Sequence, residues 1–336
     1  MALEKLETHI NWRAKDVLDP ATWTLTLTSA DQRELHDALN HAKSKSRDLV
    51  GIGREGFPLP SLGPKLSDIA SDLIDGRGFI RISKLDVERY DPDDLTLIFW
   101  GISIHIGDPW PQNRRGQVMV DITRTDAKPG DHERRSYEMG GIAMEYHTDG
   151  SDLVALFCLS GGKSGGTSCV ANGVAIYNKL VETRPDLVEV LRGDFPIDFR
   201  GDQPSGGRPY YLLPVFSERK GRLFCRLLAS YIRSSQRHPD APRLTPLQNE
   251  ALDAVAALAS QPEYNVYMDL RPGDIQFINN YHVLHGRTAY EDDLDAGVRR
   301  HLKRLWLSTP LLKSRPPGFR RMAVAHWEER RTTVRA

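Results

Sequence analysis

The chain has 336 residues, of which 40% are hydrophobic and 27% are charged, a composition typical of a globular protein with a substantial core. Lys and Arg together number 45, as do Asp and Glu, so the net charge is zero and favours neither nucleic acid nor a membrane as a partner. The three cysteines lack paired spacing, the N-terminus lacks a signal-like segment, and no apolar run approaches about 18 residues, so we expect a cytoplasmic protein.

Residues 1–110 are expected to form a flank of helices and short strands. Hydrophobic periodicity and capping residues predict strands at about 23–27 and 78–82, and helices at about 29–44, 64–75 and 91–106. Residues 107–113 contain two prolines and predict an irregular loop. A strand is predicted to follow at 118–122.

The first chemical signal lies in residues 144–152. If this stretch is a β-strand, alternation places His147 and Asp149 on one face, about 7 Å apart along the backbone. An imidazole and a carboxylate are two of the three ligands of the facial triad that binds Fe(II) and leaves positions open. The alternative is a surface turn, because Asp149 is followed by Gly150, Ser151 and Asp152.

Two other sequences have similar spacing between a histidine and an acidic residue. His238 and Asp240 flank a proline in a predicted loop, and His326 and Glu328 lie in an arginine-rich tail. Neither pair is in a predicted strand, so His147 and Asp149 form the favoured metal pair.

The middle of the chain predicts a core interrupted by an insertion. The elements expected before the insertion are an apolar strand at 153–159, a glycine-rich turn at 161–166, a strand at 167–170 and one helix at 174–191. The glycines lack the spacing of a phosphate-binding loop. Residues 195–270 look like the insertion, with strands near 210–216, 222–228 and 264–270 and a helix capped by Thr245 and Gln248.

The C-terminal third supplies a further ligand and two cations. His282 and His285 are three residues apart on a predicted strand and point to opposite faces, so only one can join the metal pair. Arg300 and Arg304 share one face of a later strand. Because buried arginines need anionic partners, they predict either a dicarboxylate cofactor or internal ion pairs with Asp or Glu.

Several segments, in their order and spacing, together resemble the taurine dioxygenase (TauD/TfdA-like) family of Fe(II)/2-oxoglutarate-dependent oxygenases over roughly residues 75–310. The segments are His147-Thr148-Asp149, Gly165-Gly166-Thr167-Ser168, Pro272-Gly273-Asp274, Asn279-Asn280, Val283-Leu284-His285-Gly286-Arg287 and Arg300-His301-Leu302-Lys303-Arg304-Leu305-Trp306-Leu307. The resemblance implies a mainly β fold with flanking helices, a double-stranded β-helix (jelly roll, cupin-like). A single oxygenase domain would span 1–336, with the jelly-roll core at 118–310, the helical and loop insertion at 195–270 and a tail at 311–336.

The resemblance also implies roles for individual residues. It implies iron bound by His147, Asp149 and His285, since the family's Leu-His-Gly-Arg motif favours His285 over His282. Co-substrate 2-oxoglutarate would pair with Arg300 and a hydroxyl of Ser168 or Thr167, and Arg304 matches a second family arginine near the cofactor and substrate. Contacts with the substrate are expected from Arg304, Tyr146, His282 and Gln112.

The implied reaction consumes O2 and 2-oxoglutarate, forms succinate and CO2, and oxidises an unactivated C–H bond of a small carboxylate- or amine-bearing metabolite, for example in secondary metabolism. Hydroxylation, desaturation and cyclisation all stay open, whereas Asp149 argues against halogenation because halogenating relatives carry Gly or Ala there. A non-redox cupin-type isomerase or hydrolase and a non-catalytic ligand-binding relative are the alternatives. The oligomeric state is left open.

A lid is expected from the insertion together with the loops at 107–116 and 124–141. Arginines in or near these loops hint at an anionic substrate, although each could be a solvated loop charge: Arg114, Arg115, Arg134, Arg135 and Arg208.

Overall fold

A computed structural model describes residues 3–8, 10–45, 48–125, 141–312 and 314–319. The helices, in chain order, are α1 (Ser29–Lys45), α2 (Leu62–Asp75), α3 (Pro92–Ile104), α4 (Gly173–Thr183), α5 (Pro185–Leu191), α6 (Ala229–Ser234) and α7 (Pro246–Ala259). The strands are β1 (Thr24–Thr26), β2 (Phe79–Ser83), β3 (Asp108–Trp110), β4 (Met119–Thr123), β5 (Met144–His147), β6 (Leu153–Gly161), β7 (Ser164–Gly165), β8 (Ser168–Asn172), β9 (Asp194–Asp198), β10 (Tyr210–Pro214), β11 (Phe216–Arg219), β12 (Arg222–Cys225), β13 (Asn265–Met268), β14 (Ile275–Asn279), β15 (Val283–Arg287), β16 (Tyr290–Glu291) and β17 (Arg300–Ser308).

Local sequence sets most of the helix ends. The side chain of Thr245 accepts a hydrogen bond from the backbone of Gln248, and Gln248 bonds back to Thr245, so α7 begins with the predicted capping box. The prediction of one helix over 174–191 is wrong, because Arg184 leaves the helical region (φ −148°, ψ 64°). Pro185 disfavours a helical conformation for the residue before it, and the chain restarts there as α5.

A seven-stranded sheet forms one wall of the fold. Its strand order is β1-β2-β14-β6-β17-β3, and β4 also pairs with β17. The β1–β2 pair is parallel, and the other pairs are antiparallel. The prediction of an irregular loop over 107–113 is wrong for β3, which tolerates Pro109 because it lies at an edge of the sheet.

A four-stranded antiparallel sheet, with the order β13-β8-β15-β5, forms the opposite wall. The two sheets enclose the core in the jelly-roll arrangement that the resemblance implied. β13 pairs with β8, from Asn265 opposite Ala171 to Met268 opposite Ser168. The last part of the predicted insertion therefore belongs to the core sheet.

The N-terminal helices cover the outer face of the larger sheet. The ring of Phe99 on α3 lies 5.4 Å from that of Phe157 on β6. The insertion contains two hairpins, β9–β10 and β11–β12, and helices α6 and α7. β9 and α6 had no counterpart in the prediction. Within the described part of the chain, no helix is long and apolar enough to cross a membrane.

The start of the predicted tail packs against the body of the protein. The ring of Phe319 is buried and lies 6.2 Å from that of Phe224 and 6.3 Å from that of Tyr281. Arg315 forms an ion pair with Asp152, whose carboxylate is fully buried. The arginine-rich end, which contains His326 and Glu328, lies outside the described residues.

Candidate metal centre

Three of the predicted metal ligands meet between the two sheets. The side chains of His147, Asp149 and His285 each offer a ligand atom, and these atoms all lie within 4.8 Å of one another. His147 is opposite His285 in the β5–β15 ladder, with ring centroids 4.2 Å apart. Nε2 of His285 lies 3.8 Å from Oδ2 of Asp149. Two imidazoles and one carboxylate form the donor set of a facial triad, which suits Fe(II) and leaves coordination positions open.

Asp149 reaches this cluster from outside a strand. β5 ends at His147, so the prediction of one strand over 144–152 is wrong and alternation does not align the two side chains. Instead, the backbone N–H of Asp149 donates to Oδ1 of Asn280 at 3.1 Å, and the guanidinium of Arg226 donates to the carbonyl of Asp149. The turn after His147 is therefore buried, and contacts with two distant parts of the chain fix its position.

The imidazoles of His147 and His285 favour the neutral form, which is the form that binds a metal. Nδ1 of His147 lies 2.8 Å from the carbonyl oxygen of Glu145, so a proton on Nδ1 is satisfied there and Nε2 is left for a metal. Burial lowers the pKa of His147. Burial, followed by the neighbouring His147, lowers the pKa of His285 to about 3. Near neutral pH both rings therefore have a lone pair to donate.

Arg304 lies against the carboxylate of Asp149. Its Nη1 donates to both carboxylate oxygens at 3.3 Å, and its Nε donates to Oε1 of Gln112 at 2.8 Å. Burial alone would raise the pKa of Asp149, but the charge of Arg304 contributes most to lowering it to about 2. The carboxylate is thus held ionised before any metal binds.

A small cavity of about 50 Å³ extends from this cluster between the sheets. The three candidate ligands line one end, and Ser168, Arg287 and Arg300 also line it. The guanidinium of Arg300 donates to the carbonyl of Gly166 at 3.1 Å, and its Cζ lies 5.4 Å from the ring centre of Tyr290. Burial, followed by the nearby charge of Arg287, lowers the pKa of Arg300 to about 10.

The structure separates the two hydroxyls that the sequence left as alternatives. Ser168 is buried and lines the small cavity, where its hydroxyl donates to Oε1 of Gln276 at 3.0 Å. Thr167 is half-buried and is not among the residues that line the cavity. The position of Ser168 is therefore the one suited to a ligand that also reaches Arg300.

A larger cavity of about 260 Å³ also borders the metal cluster. Its lining includes His147, Asp149, Arg304 and Trp306. The rest of its wall includes residues from the insertion: Asp198, Phe199, Tyr211, Leu228, Ala229, Ser230 and Tyr231. The predicted insertion therefore contributes to the wall of this cavity.

The predicted substrate-contacting residues are not all on this wall. Tyr146 lines the larger cavity, and burial raises the pKa of its hydroxyl. His282 is buried in the turn before β15, so the prediction that it shares a strand with His285 is wrong, and a Cβ on Gly78 would lie only 2.1 Å from its Nε2. His282 lines neither cavity, so the structure gives no support to the predicted substrate contact.

Gln112 has a different place from the one predicted. It is buried behind Arg304 and lines neither cavity, so a direct substrate contact is not what the structure shows. Its Nε2 donates to the carbonyls of Val118 and Arg304 at 2.9 Å each. Gln112 therefore orients Arg304 by bonding to both the side chain and the backbone of Arg304.

Two arginines near the site were not singled out by the sequence. Arg287 ends the Leu-His-Gly-Arg motif, and alternation along β15 places it on the same face as His285, which is a signal that could have found it. Arg226 follows a strand of the insertion, and its contact with the carbonyl of Asp149 spans 77 residues. No local pattern predicts a contact of that range.

The remaining histidine and arginine candidates lie elsewhere. His238 bonds through Nε2 to the buried carboxylate of Asp198 at 3.1 Å, and Arg237 pairs with the same carboxylate. Across the described ranges, His147, Asp149 and His285 are the group found with metal-ligand spacing. Three of the loop arginines are exposed and line neither cavity, namely Arg114, Arg115 and Arg208. Arg134 and Arg135 lie outside the described residues.

A jelly roll with a His-Asp-His cluster beside a basic cavity defines the class of non-haem Fe(II) oxygenases that use a 2-oxo acid. The family model for the taurine catabolism dioxygenase TauD, TfdA family matches residues 45–306. The chain therefore belongs to the TauD/TfdA family and is an Fe(II)- and 2-oxoglutarate-dependent dioxygenase.

Individual relatives agree with this membership. The chain is 30% identical to the taurine hydroxylase-like protein SAT17 of Stachybotrys chartarum, an alignment that covers 94% of this chain and 83% of the relative. It is 28% identical to FR-33289 synthase of Streptomyces rubellomurinus, covering 88% of each chain.

Two solved structures have the same fold at low identity. A structure of asparagine oxygenase with Fe(II), 2S,3S-3-hydroxyasparagine and succinate has a TM-score of 0.65 and 17% identity, covering 85% of this chain and 93% of that one. A structure of the non-haem iron oxygenase OrfP with Fe and α-ketoglutaric acid has a TM-score of 0.64 and 18% identity, covering 88% and 98%.

Proposed function

We propose that His147, Asp149 and His285 hold the iron of this dioxygenase and that Arg300 and Ser168 bind the distal carboxylate of 2-oxoglutarate. The donor set and the 50 Å³ cavity that joins it to Arg300 support this assignment. When bound, the iron and its co-substrate supply the redox chemistry that activates O2 and yields succinate and CO2. The protein residues bind, orient and exclude water around that chemistry.

The 260 Å³ cavity is the proposed substrate site, and its position is the observation that carries the proposal. It shares His147, Asp149 and Arg304 with the co-substrate cavity, so a molecule in it lies next to the metal cluster. Its volume is below the roughly 300–1,000 Å³ of typical drug-sized pockets. A small metabolite is therefore the substrate class that fits.

The charges on the cavity wall favour a carboxylate- or amine-bearing substrate. Arg304 presents a buried guanidinium, which binds carboxylates well, and Glu145 supplies a carboxylate near the same end. The hydroxyasparagine bound in the asparagine oxygenase structure and the hydroxyarginine bound in a structure of OrfP are consistent with an amino acid or a similar metabolite. The reaction is oxidation of one of its unactivated C–H bonds by hydroxylation, desaturation or cyclisation.

The insertion is proposed to act as a lid within a single oxygenase domain. Phe199, Tyr211 and Tyr231 come from the insertion and provide aromatic surface on the wall of the substrate cavity. Closing such a wall over the substrate would exclude water from the metal. Position and charge therefore assign recognition to Arg304 and enclosure to the insertion.

We also propose that the enzyme acts in the cytoplasm on a small molecule, with neither nucleic acid nor a membrane as a partner. All three cysteines are free and buried, which suits a reducing compartment. The balanced charge of the sequence supports the second part. The cupin-type isomerase or hydrolase and the non-catalytic relative gain no support from the family match.

Succinate formation tests the proposed substrate class. Small carboxylates, amines and amino acids are added one at a time to the Fe(II)-loaded protein with 2-oxoglutarate and O2. A substrate is expected to raise succinate formation above the background, and Arg304→Met should raise its KM. The proposal fails if only uncharged apolar compounds stimulate turnover, or if the Arg304 variant keeps the parental KM for a carboxylate substrate.

A further inference from the structure

Arg287 is a buried cation that forms no ion pair with a carboxylate among the described residues. The residue is 8% exposed, and its side chain lines the co-substrate cavity. Nη2 donates to the carbonyl of Ile142 at 2.7 Å, and Cζ lies 4.4 Å from the ring centre of Tyr290. Among the described residues, its Nε has no hydrogen-bond partner and no carboxylate lies within 4.0 Å of its guanidinium. The carbonyl and Tyr290 do not neutralise the buried charge, and the carboxylate of Asp292 acts on Arg287 only from beyond 4.0 Å.

Arg300 is in the same situation in the same cavity. Its guanidinium is buried, contacts the carbonyl of Gly166 and the ring of Tyr290, and has no carboxylate within 4.0 Å in the described part of the chain. Tyr290 thus lies beside both guanidinium groups. Two like charges in a cavity of about 50 Å³ repel each other, and burial makes that repulsion costly unless an anion enters.

We propose that Arg287 binds the distal carboxylate of 2-oxoglutarate together with Arg300, so that two guanidinium groups face that one carboxylate. The inference rests on the proposed co-substrate role of this cavity. A second guanidinium adds charge-assisted hydrogen bonds only for a ligand with a charged tail. Arg287 therefore makes the site selective for dianionic 2-oxo acids over monoanionic ones.

The arrangement also joins the co-substrate to the substrate cavity. Ile142, whose carbonyl accepts the bond from Arg287, lines the larger cavity. A carboxylate that orders Arg287 would steady this part of the rim. The binding of 2-oxoglutarate would then prepare the wall that the substrate meets.

Calorimetry under anaerobic conditions tests the proposal without turnover. The Fe(II)-loaded parent, Arg287→Met and Arg287→Lys are titrated with 2-oxoglutarate and with 2-oxopentanoate, which has the same chain length without the distal carboxylate. Arg89→Met is a matched control. Arg89 is exposed, and its Cζ lies 5.6 Å from the ring centre of Tyr90, so this variant also removes an arginine that lies over a tyrosine ring.

We expect Arg287→Met to weaken 2-oxoglutarate binding about 10-fold or more and to change 2-oxopentanoate binding less than about 3-fold. Arg287→Lys keeps a charge and should weaken 2-oxoglutarate less, and Arg89→Met should change neither. Equal losses for both ligands, or parental affinity for 2-oxoglutarate in Arg287→Met, would overturn the proposal. If Arg287→Met does not fold, Arg287→Lys replaces it as the test. The proposal is then overturned if Arg287→Lys has the same ratio of affinities for 2-oxoglutarate and 2-oxopentanoate as the parent.

A different result would show that this cavity is not the 2-oxoglutarate site. The parent protein itself would then not prefer 2-oxoglutarate over 2-oxopentanoate, and Arg300→Met would not alter the ratio of the two affinities. A parent that discriminates while Arg287→Met discriminates equally well leaves the co-substrate site intact and removes only Arg287 from it.

Discussion

The guanidinium of Arg304 contacts both carboxylate oxygens of Asp149, at 3.3 Å each, although Asp149 is also a candidate metal ligand. Both residues are more than nine-tenths buried. The pair keeps the ligand ionised and oriented without a metal, and it brings a cation next to the proposed substrate site. One contact thus connects the metal, the carboxylate that binds it and the residue proposed to bind the substrate.

Removing Arg304 should therefore cost more stability in the metal-free protein than in the metal-loaded one. Arg304→Met leaves the buried carboxylate of Asp149 without a cation, and breaking a buried ion pair costs roughly 3–5 kcal/mol. Bound Fe(II) replaces the missing positive charge, so the loss should shrink when the protein is loaded anaerobically. The free energy of unfolding, measured with and without Fe(II), checks this.

Gln112→Leu is the matched control for that experiment. It removes the hydrogen-bond partner of Nε of Arg304 and retains the charges of both Arg304 and Asp149. Its effect on stability should not depend on the metal. Equal losses for Arg304→Met in the two states would show that the pair does not compensate the charge of Asp149.

Arg226 should control the affinity for iron although it lies outside the ligand set. It donates to the backbone carbonyl of Asp149, and residues that orient metal ligands typically contribute 10–100-fold to metal affinity. We expect Arg226→Met to weaken Fe(II) binding by about that factor, measured by anaerobic titration. Arg222, four residues earlier, contacts Asp75 and the carbonyl of Ile74 instead. Arg222→Met should therefore leave the affinity for Fe(II) unchanged. Equal iron affinities in the two variants would refute this role.

Ser168 and Thr167 form a pair of adjacent hydroxyls that should behave differently. Ser168→Ala removes a hydroxyl from the co-substrate cavity, and the loss of one hydrogen bond of about 0.5–1.5 kcal/mol corresponds to a 2- to 10-fold higher KM for 2-oxoglutarate. Thr167→Ala should leave the KM near its parental value, because Thr167 does not line the cavity. The reverse order of the two variants would assign the role to Thr167.

The stability of the metal-free protein should fall as the solution becomes acidic. Burial lowers the pKa of His285 from 6.5 to about 3, so below pH 6.5 the unfolded chain takes up a proton that the folded chain does not. This residue alone should remove about 2 kcal/mol of stability between pH 7 and pH 5. Asp149, whose pKa is lowered to about 2, adds a loss only below about pH 4.

Denaturant unfolding of the parent and of His285→Asn at pH 7 and pH 5 measures the effect. The variant should show the smaller change between the two pH values, whatever its stability at pH 7. An identical change in both proteins would mean that His285 does not stay neutral in the folded state.

The sequence predicted which three side chains cluster better than it predicted why they meet. His147 and Asp149 were placed on one face by strand alternation, but the strand ends between them. Asn280 and Arg226 determine the position of Asp149 through contacts that span 131 and 77 residues. Such contacts depend on how the sheets pack, which no short pattern encodes.

The residues that surround the metal cluster were also predictable only where a local pattern places them. Arg300 and Arg304 were predictable because alternation along one strand places both on the cavity face. The contact of Gln112 with Arg304 joins residues 192 positions apart, and Gln112 comes from a segment predicted as a loop. β3 was missed there because proline usually argues against a strand, except at a sheet edge.

Succinate formation by the reconstituted protein tests the iron site most directly. The parent, supplied with Fe(II), 2-oxoglutarate and O2, should form succinate slowly even without its substrate, and His147→Ala and His285→Ala should form none above the iron-free background. Failure of the parent to form succinate, or parental rates in either variant, would contradict the convergence of His147, Asp149 and His285 on one catalytic ion.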